Sequence, residues 1–192
     1  AAKWFRLASE QGHREAQYEL GRMYRARKGV ERDLKEAAKW FRLAAEQGHS
    51  QAQYELGRAY RHGWMHFEPD LKESAKWFRL SAEQGYAVAQ HAMGEMYRRG
   101  LGVKKDYTEA AKWYKLSATQ NISESMYSSD MRWRSHIARS RYLLGYMYEA
   151  GYGVEKNIEK AFFWYQSSAD ESNLDAMRRI AQERYKKAEY KE

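Results

Sequence analysis

The side chains able to do metal or acid–base chemistry are scattered through this sequence. Its histidines are His13, His49, His62, His66, His91 and His136. His62 and His66 stand four apart, a spacing that on a helix would set two imidazole ligands on one face. Gly63 lies between them at a helix end, and no third ligand stands nearby, so no metal is expected. Zero cysteines remove disulfides, thiolate metal sites and cysteine nucleophiles. There is no phosphate-binding glycine loop, no H-E-x-x-H and no nucleophile elbow. Carboxylates fall at helical steps from lysines, where they form solvated pairs. Neither a catalytic residue nor a cofactor is therefore expected. Asn121-Ile122-Ser123 matches a glycosylation acceptor, a short pattern common by chance.

The elements that would have to position any site come from an internal repeat. AAKWFRLASEQG at Ala1 returns as AAKWFRLAAEQG at Ala37, SAKWFRLSAEQG at Ser74 and AAKWYKLSATQN at Ala110. A weaker copy, AFFWYQSSADES, begins at Ala161. The tryptophans Trp4, Trp40, Trp77, Trp113 and Trp164 are spaced by 36, 37, 36 and 51 residues. A second block alternates with the first: AQYELGRMY at Ala16, AQYELGRAY at Ala52, AQHAMGEMY at Ala89 and SRYLLGYMY at Ser140. Two blocks locked to one period define a repeat architecture.

Each block is predicted to be a helix. Leu34, Ala37, Ala38, Phe41, Ala44 and Ala45 recur at three- and four-residue steps. Asp33, Asp70, Asp106 and Asn157 stand where helix N-caps belong, and Gly12, Gly48 and Gly85 where helices end. Gly21, Gly57, Gly94 and Gly145 fall inside the second block, where a glycine costs about 1 kcal/mol against alanine. Close approach of a neighbouring helix is the expected reason. A single helix pair cannot bury its apolar faces alone, so stacked pairs are required. The fold class is an all-α solenoid.

The pattern A-x-x-x-L-G-x-M-Y, then G-x-G-V, then D-x-x-x-A-x-x-W-[FY]-x-x-[AS]-A-x-x-G resembles the Sel-1-like repeat, a relative of the tetratricopeptide repeat. Ala89–Gly94, Gly100–Val103 and Asp106–Ala118 carry most of it. The resemblance implies a right-handed superhelix of antiparallel helix pairs. In its phase, 1–11 form the second helix of a truncated repeat; 12–47, 48–84, 85–120 and 121–171 are repeats; 172–192 form a C-terminal helix. The chain then reads as part of something longer. It also implies a concave face lined by the first helix of each pair, at six and three residues before the glycine and one, four and five after it. The groove residues are then Tyr18, Arg22, Arg25, Tyr54, Arg58, Arg61, His91, Arg98, Arg99, Arg139, Tyr142 and Tyr146. Arginine forks carboxylates and tyrosine offers rigid amphipathic area, so an acidic peptide or partner protein is the expected ligand. The plainer alternative is a set of solvated arginines copied by duplication. The tetratricopeptide carboxylate clamp of Lys and Asn is not reproduced.

Two segments depart from the repeat. An insertion near 122–137 adds about fifteen residues: a polar stretch, then a first helix lengthened by roughly two turns. Its Arg132, Trp133 and Arg134 are either part of a tolerated insertion or a protruding partner contact. The loop GWMHFEPD at Gly63 is one residue longer than its counterparts. Trp64, Met65 and Phe67 there would form a small apolar patch, unless Phe67 simply replaces the valine of Val30, Val103 and Val154.

The resemblance implies a non-enzymatic scaffold or adaptor. The alternatives are a polyanion binder, or a bacterial regulator or immunity protein with one tight partner. A net charge of +8 permits polyanion binding, yet 26 acids are interleaved with 34 bases across 192 residues. At 43% hydrophobic and 15% aromatic the chain is not expected to be disordered. No apolar run reaches the length of a membrane span. No signal peptide is visible at the start. The cytoplasm is the first expectation, with a bacterial secreted or periplasmic location as the alternative.

Overall fold

A computed structural model describes residues 2–120 and 132–189, the side chains of 132 and 183–189 apart. Ten helices follow one another among the described residues: α1 (Ala2–Glu10), α2 (Arg14–Ala26), α3 (Leu34–Glu46), α4 (Ser50–His62), α5 (Leu71–Glu83), α6 (Ala87–Arg99), α7 (Tyr107–Ala118), α8 (Arg132–Ala150), α9 (Ile158–Ala169) and α10 (Leu174–Glu189). The glycosylation pattern at Asn121 and the polar part of the insertion lie outside the described residues. The chain divides into two compact units, 1–89 with 101–104, and 90–100 with 105–192.

The caps form where the sequence placed them. The Oδ1 atoms of Asp33, Asp70 and Asp106 each accept two backbone N–H bonds at 2.8 and 3.0 Å, and Asn157 accepts one from Lys160. The same four residues donate their own N–H to the carbonyls of Tyr24, Tyr60, Tyr97 and Tyr148. Each second helix is thus tied at its start to the end of the first. Apart from their own groups, the caps satisfy donors that would otherwise be orphaned.

The mid-helix glycines are seats for rings. A β-carbon on Gly21, Gly57, Gly94 or Gly145 would lie 2.9, 2.5, 2.5 or 2.8 Å from Phe41, Phe78, Tyr114 or Tyr165. Those four rings are at most 1% exposed. The equivalent ring on α1, Phe5, is 36% exposed and its neighbour Trp4 73%.

A set of glutamines ties successive helices together. Gln17 donates from Nε2 to the Ser9 carbonyl at 3.1 Å and accepts from Gln47 at 2.7 Å. Gln53 does the same with Ala45 and Gln84 at 3.1 and 2.7 Å. In the second unit Gln120 donates to Gln90 at 3.3 Å. Arg141 takes the glutamine position on α8, donating to the Ala118 and Ser167 carbonyls at 3.1 and 3.2 Å.

Left-handed residues close the first helices. Gly63 caps α4 at φ +66, and Gly100 and Gly151 hold φ +71 and +76 in the equivalent places. Arg27 fills that place after α2 at φ +56. A side chain in this conformation costs about 1–2 kcal/mol that glycine avoids. Arg27→Gly is therefore expected to raise the apparent melting temperature by about 2–8 °C, read by circular dichroism. An unchanged or lower value would show that the Arg27 side chain compensates for its backbone.

Candidate functional site

In the first unit the predicted tyrosines and arginines form a packed surface that runs from α2 to α4. Tyr18 lies flat on the imidazole of His49, ring centroids 4.4 Å apart, and burial pushes its phenol up to about 12. Arg22 stands over the Tyr18 ring at 5.7 Å and pairs with Glu19 at 2.8 Å. Glu55, only 4% exposed, accepts from Arg25 at 2.5 Å and Arg58 at 3.3 Å. This carboxylate joins α2 to α4. Arg58 also lies over Tyr54 at 5.8 Å and over Trp64 at 4.8 Å, and Trp64 stacks on His62 at 4.8 Å. Burial, then the charges of Arg61 and Arg58, hold the His62 imidazole below its usual range. Arg61 is half-buried and makes no ion pair among the described residues.

In the second unit the predicted residues divide. Arg98 forks Glu95 at 2.8 and 3.1 Å, and the Tyr114 hydroxyl donates to the same carboxylate at 2.5 Å. Burial opposes the charge on Glu95, but the bonds from Arg98 and Tyr114 outweigh it and hold the carboxyl below its usual range. His91 turns inward: its Nδ1 meets Ser140 Oγ at 2.9 Å, and Ser140 also bonds Ser117 at 2.9 Å. Arg99 is exposed. Arg139 pairs with Asp175 at 2.6 Å and covers the Tyr142 ring at 5.3 Å. Tyr142 packs on Tyr165 at 5.6 Å, and Tyr146 meets Tyr152 edge-on at 5.8 Å. Glu149 collects the Tyr165 hydroxyl at 2.5 Å and Arg179 at 3.3 Å.

Glu19 and Glu55 pair with Arg22, Arg25 and Arg58 in the first unit, and Glu95 with Arg98 in the second, so much of the positive charge is matched within each unit. These glutamates lie three residues from Arg22, Arg58 and Arg98, a helical pairing step that was readable in the sequence. The cross-helix bond from Arg25 was not.

The secondary contact candidates also separate. Trp64 is 44% exposed, whereas Met65 is buried in the core of the first unit. Phe67 packs on Tyr60 at 4.5 Å and joins that same core beside Val30, so it occupies the valine place. The loop contributes one exposed aromatic residue, not a patch of three. Helix α8 spans 19 residues against 13 in α2 and α4, which is the lengthening expected of it. Trp133 on that extension is 5% exposed and belongs to the interior, so it does not protrude; Arg134 is exposed. The side chain of Arg132 lies outside the described residues. No group of three or more metal-ligating side chains occurs among the described residues, and none of their helices is long and apolar enough to cross a membrane.

The Sel1 repeat model matches residues 1–13, 14–49, 50–86, 87–122 and 138–173. The chain belongs to the Sel1 repeat family. It is similar to a protective antigen of uropathogenic Escherichia coli with an SLR fold, at 34% identity and a TM-score of 0.81, covering 93% of this chain and 35% of that one. A Sel1 repeat protein from Oxalobacter formigenes matches at 31% identity and a TM-score of 0.77, covering 92% and 66%. The chain thus spans about a third of the first relative's length. Cysteine-rich protein B of Helicobacter pylori shares the fold at 22% identity and a TM-score of 0.53, covering 77% and 95%. No curated protein matches. The all-helical Sel1 repeat chain is a solenoid of the tetratricopeptide-like class, and Sel1 repeats generally serve as protein-interaction scaffolds.

Proposed function

We propose that this Sel1 repeat chain holds an extended, acidic segment of a partner protein against the tyrosine–arginine surface of its first helices, without catalysing a reaction. The observation that carries this reading is the Tyr18–Arg22–Arg25–Glu55–Arg58–Tyr54 assembly. Its rings and guanidinium groups are fixed by one another before any ligand arrives, so little side-chain entropy is lost on binding. Arg61 is a cation beside it with no ion pair among the described residues, and it supplies the preference for acids. The interleaved glutamates speak against a polyanion ligand, whose closely spaced charges would meet Glu19 and Glu95.

Selection from a displayed random-peptide library against the chain tests this. Enriched sequences are expected to be acidic, and Arg61→Glu is expected to weaken their binding about tenfold or more with the helical circular dichroism signal unchanged. Enrichment without acidic residues, or affinity untouched by Arg61→Glu, would overturn the reading. Tighter capture of a short single-stranded oligonucleotide, with affinity falling steeply as salt rises, would replace it with polyanion binding.

A further inference from the structure

Helix α10 follows the plan of a first helix, although the sequence reading treated it only as a terminal one. Aligned with α4, its Ala176 stands at Ala52, Arg178 at Tyr54, Arg179 at Glu55, Ile180 at Leu56, Ala181 at Gly57 and Gln182 at Arg58. The structure supports the alignment: Ala176 and Ala52 are both fully buried. Asn173 Oδ1 accepts the Ala176 N–H at 3.1 Å, as His49 Nδ1 accepts that of Ala52 at 3.3 Å. The chemistry differs most at Arg178, Arg179 and Gln182, which stand where α4 has tyrosine, glutamate and arginine.

Those exchanges build an open pocket of about 390 Å³ between α8 and α10, lined by Tyr142, Asp175, Arg178, Arg179 and Gln182. Its charges do not cancel. Arg139 takes Asp175 at 2.6 Å, and Arg179 takes Glu149 at 3.3 Å. Arg178 reaches Asp175 only at 3.9 Å, beyond hydrogen-bond distance, and its side chain is 76% exposed. Among the described residues three guanidinium groups therefore face two carboxylates, and Arg178 makes no hydrogen bond to either of them. Tyr142 adds a ring wall and Gln182 an amide donor.

The geometry points to this pocket as a binding site for a peptide carboxylate, forked by Arg178 and walled by Tyr142 and Gln182. The carboxylate belongs to an acidic side chain of the bound segment or to its C-terminus. The inference rests on the peptide-binding reading above and adds to it a location and a contact.

Fluorescence anisotropy of the full chain with three labelled peptides tests it. One carries two glutamates and is blocked at both ends, the second replaces them by glutamine, and the third is the glutamine peptide with a free C-terminus. The first, the third or both should bind, and which one binds names the source of the carboxylate. The blocked glutamine peptide should not bind. Arg178→Glu should weaken binding about tenfold or more, and Arg178→Lys should recover part of it, because an ammonium cannot fork a carboxylate. Lys104→Glu, an equal charge change at another exposed site, should weaken it less than about twofold. Equal losses from Arg178→Glu and Lys104→Glu, or binding of the blocked glutamine peptide, would overturn the pocket. Loss with Arg61→Glu but not with Arg178→Glu would overturn the pocket and leave the scaffold reading standing. Indifference to both would end the two together.

Discussion

Gly153→Ala should destabilise the chain by more than about 4 kcal/mol, far beyond an ordinary loop substitution. Gly153 holds φ +67, and a β-carbon there would overlap the carbonyl of Tyr107 and the amide of Thr108 at the start of α7. Both obstacles are backbone, so no rotamer change relieves them. The left-handed conformation alone accounts for about 1–2 kcal/mol, and the remainder comes from forcing the loop off the helix. Gly151→Ala is the control. It sits two residues away at φ +76, but its nearest neighbour, the Lys156 β-carbon, is 3.4 Å off. It should cost only about 1–2 kcal/mol. Urea unfolding followed by circular dichroism separates the two, and equal losses would show that close contact is not what Gly153 provides. Gly102 makes the same approach to the Leu71 carbonyl in the first unit, and Gly102→Ala should behave like Gly153→Ala.

Phe78→Ala is expected to cost about 3–5 kcal/mol, the range for emptying a fully buried aromatic site. Gly57→Ala alone should cost about 1–3 kcal/mol by overfilling the same place, since its methyl would meet the Phe78 ring at 2.5 Å. Together the two changes should cost less than their sum by about 1 kcal/mol or more, because the added methyl occupies space the ring has left. Strict additivity in the double-mutant cycle would mean that glycine and ring do not share one seat.

The repeat period, the aspartate caps and the reason for the internal glycines were all legible in the sequence. Each depends on residues within a few positions of one another, or on the same position one period later. The readings that changed depend on contacts between positions with no fixed relation in sequence. Trp133, between Arg132 and Arg134, left a tolerated insertion and a partner contact both open to view, and the turn it shares with Ile137 faces the interior. Met65 and Trp64 are adjacent, and the positive φ of Met65 and His66 sends one inward while the other stays out. The arginines recur with the repeat period, but the acid that joins two of them, Glu55, stands thirty residues from Arg25. Helix α10 read only as a C-terminal helix, because alanine replaces its marker glycine and arginine its tyrosine.

The glutamine ties have an evolutionary consequence. Gln17 and Gln47 fall within one matched repeat, as do Gln53 and Gln84, and Gln90 and Gln120. The side-chain half of each joint is therefore inherited whole whenever a repeat is copied. The other half, seen at Ser9 and Ala45, asks the preceding repeat only for a main-chain carbonyl, which every amino acid supplies. Where the glutamines are present, the joint therefore asks for no particular side chain from the repeat before it; at α8, where Arg141 stands in the glutamine place, the joint is made to two carbonyls instead.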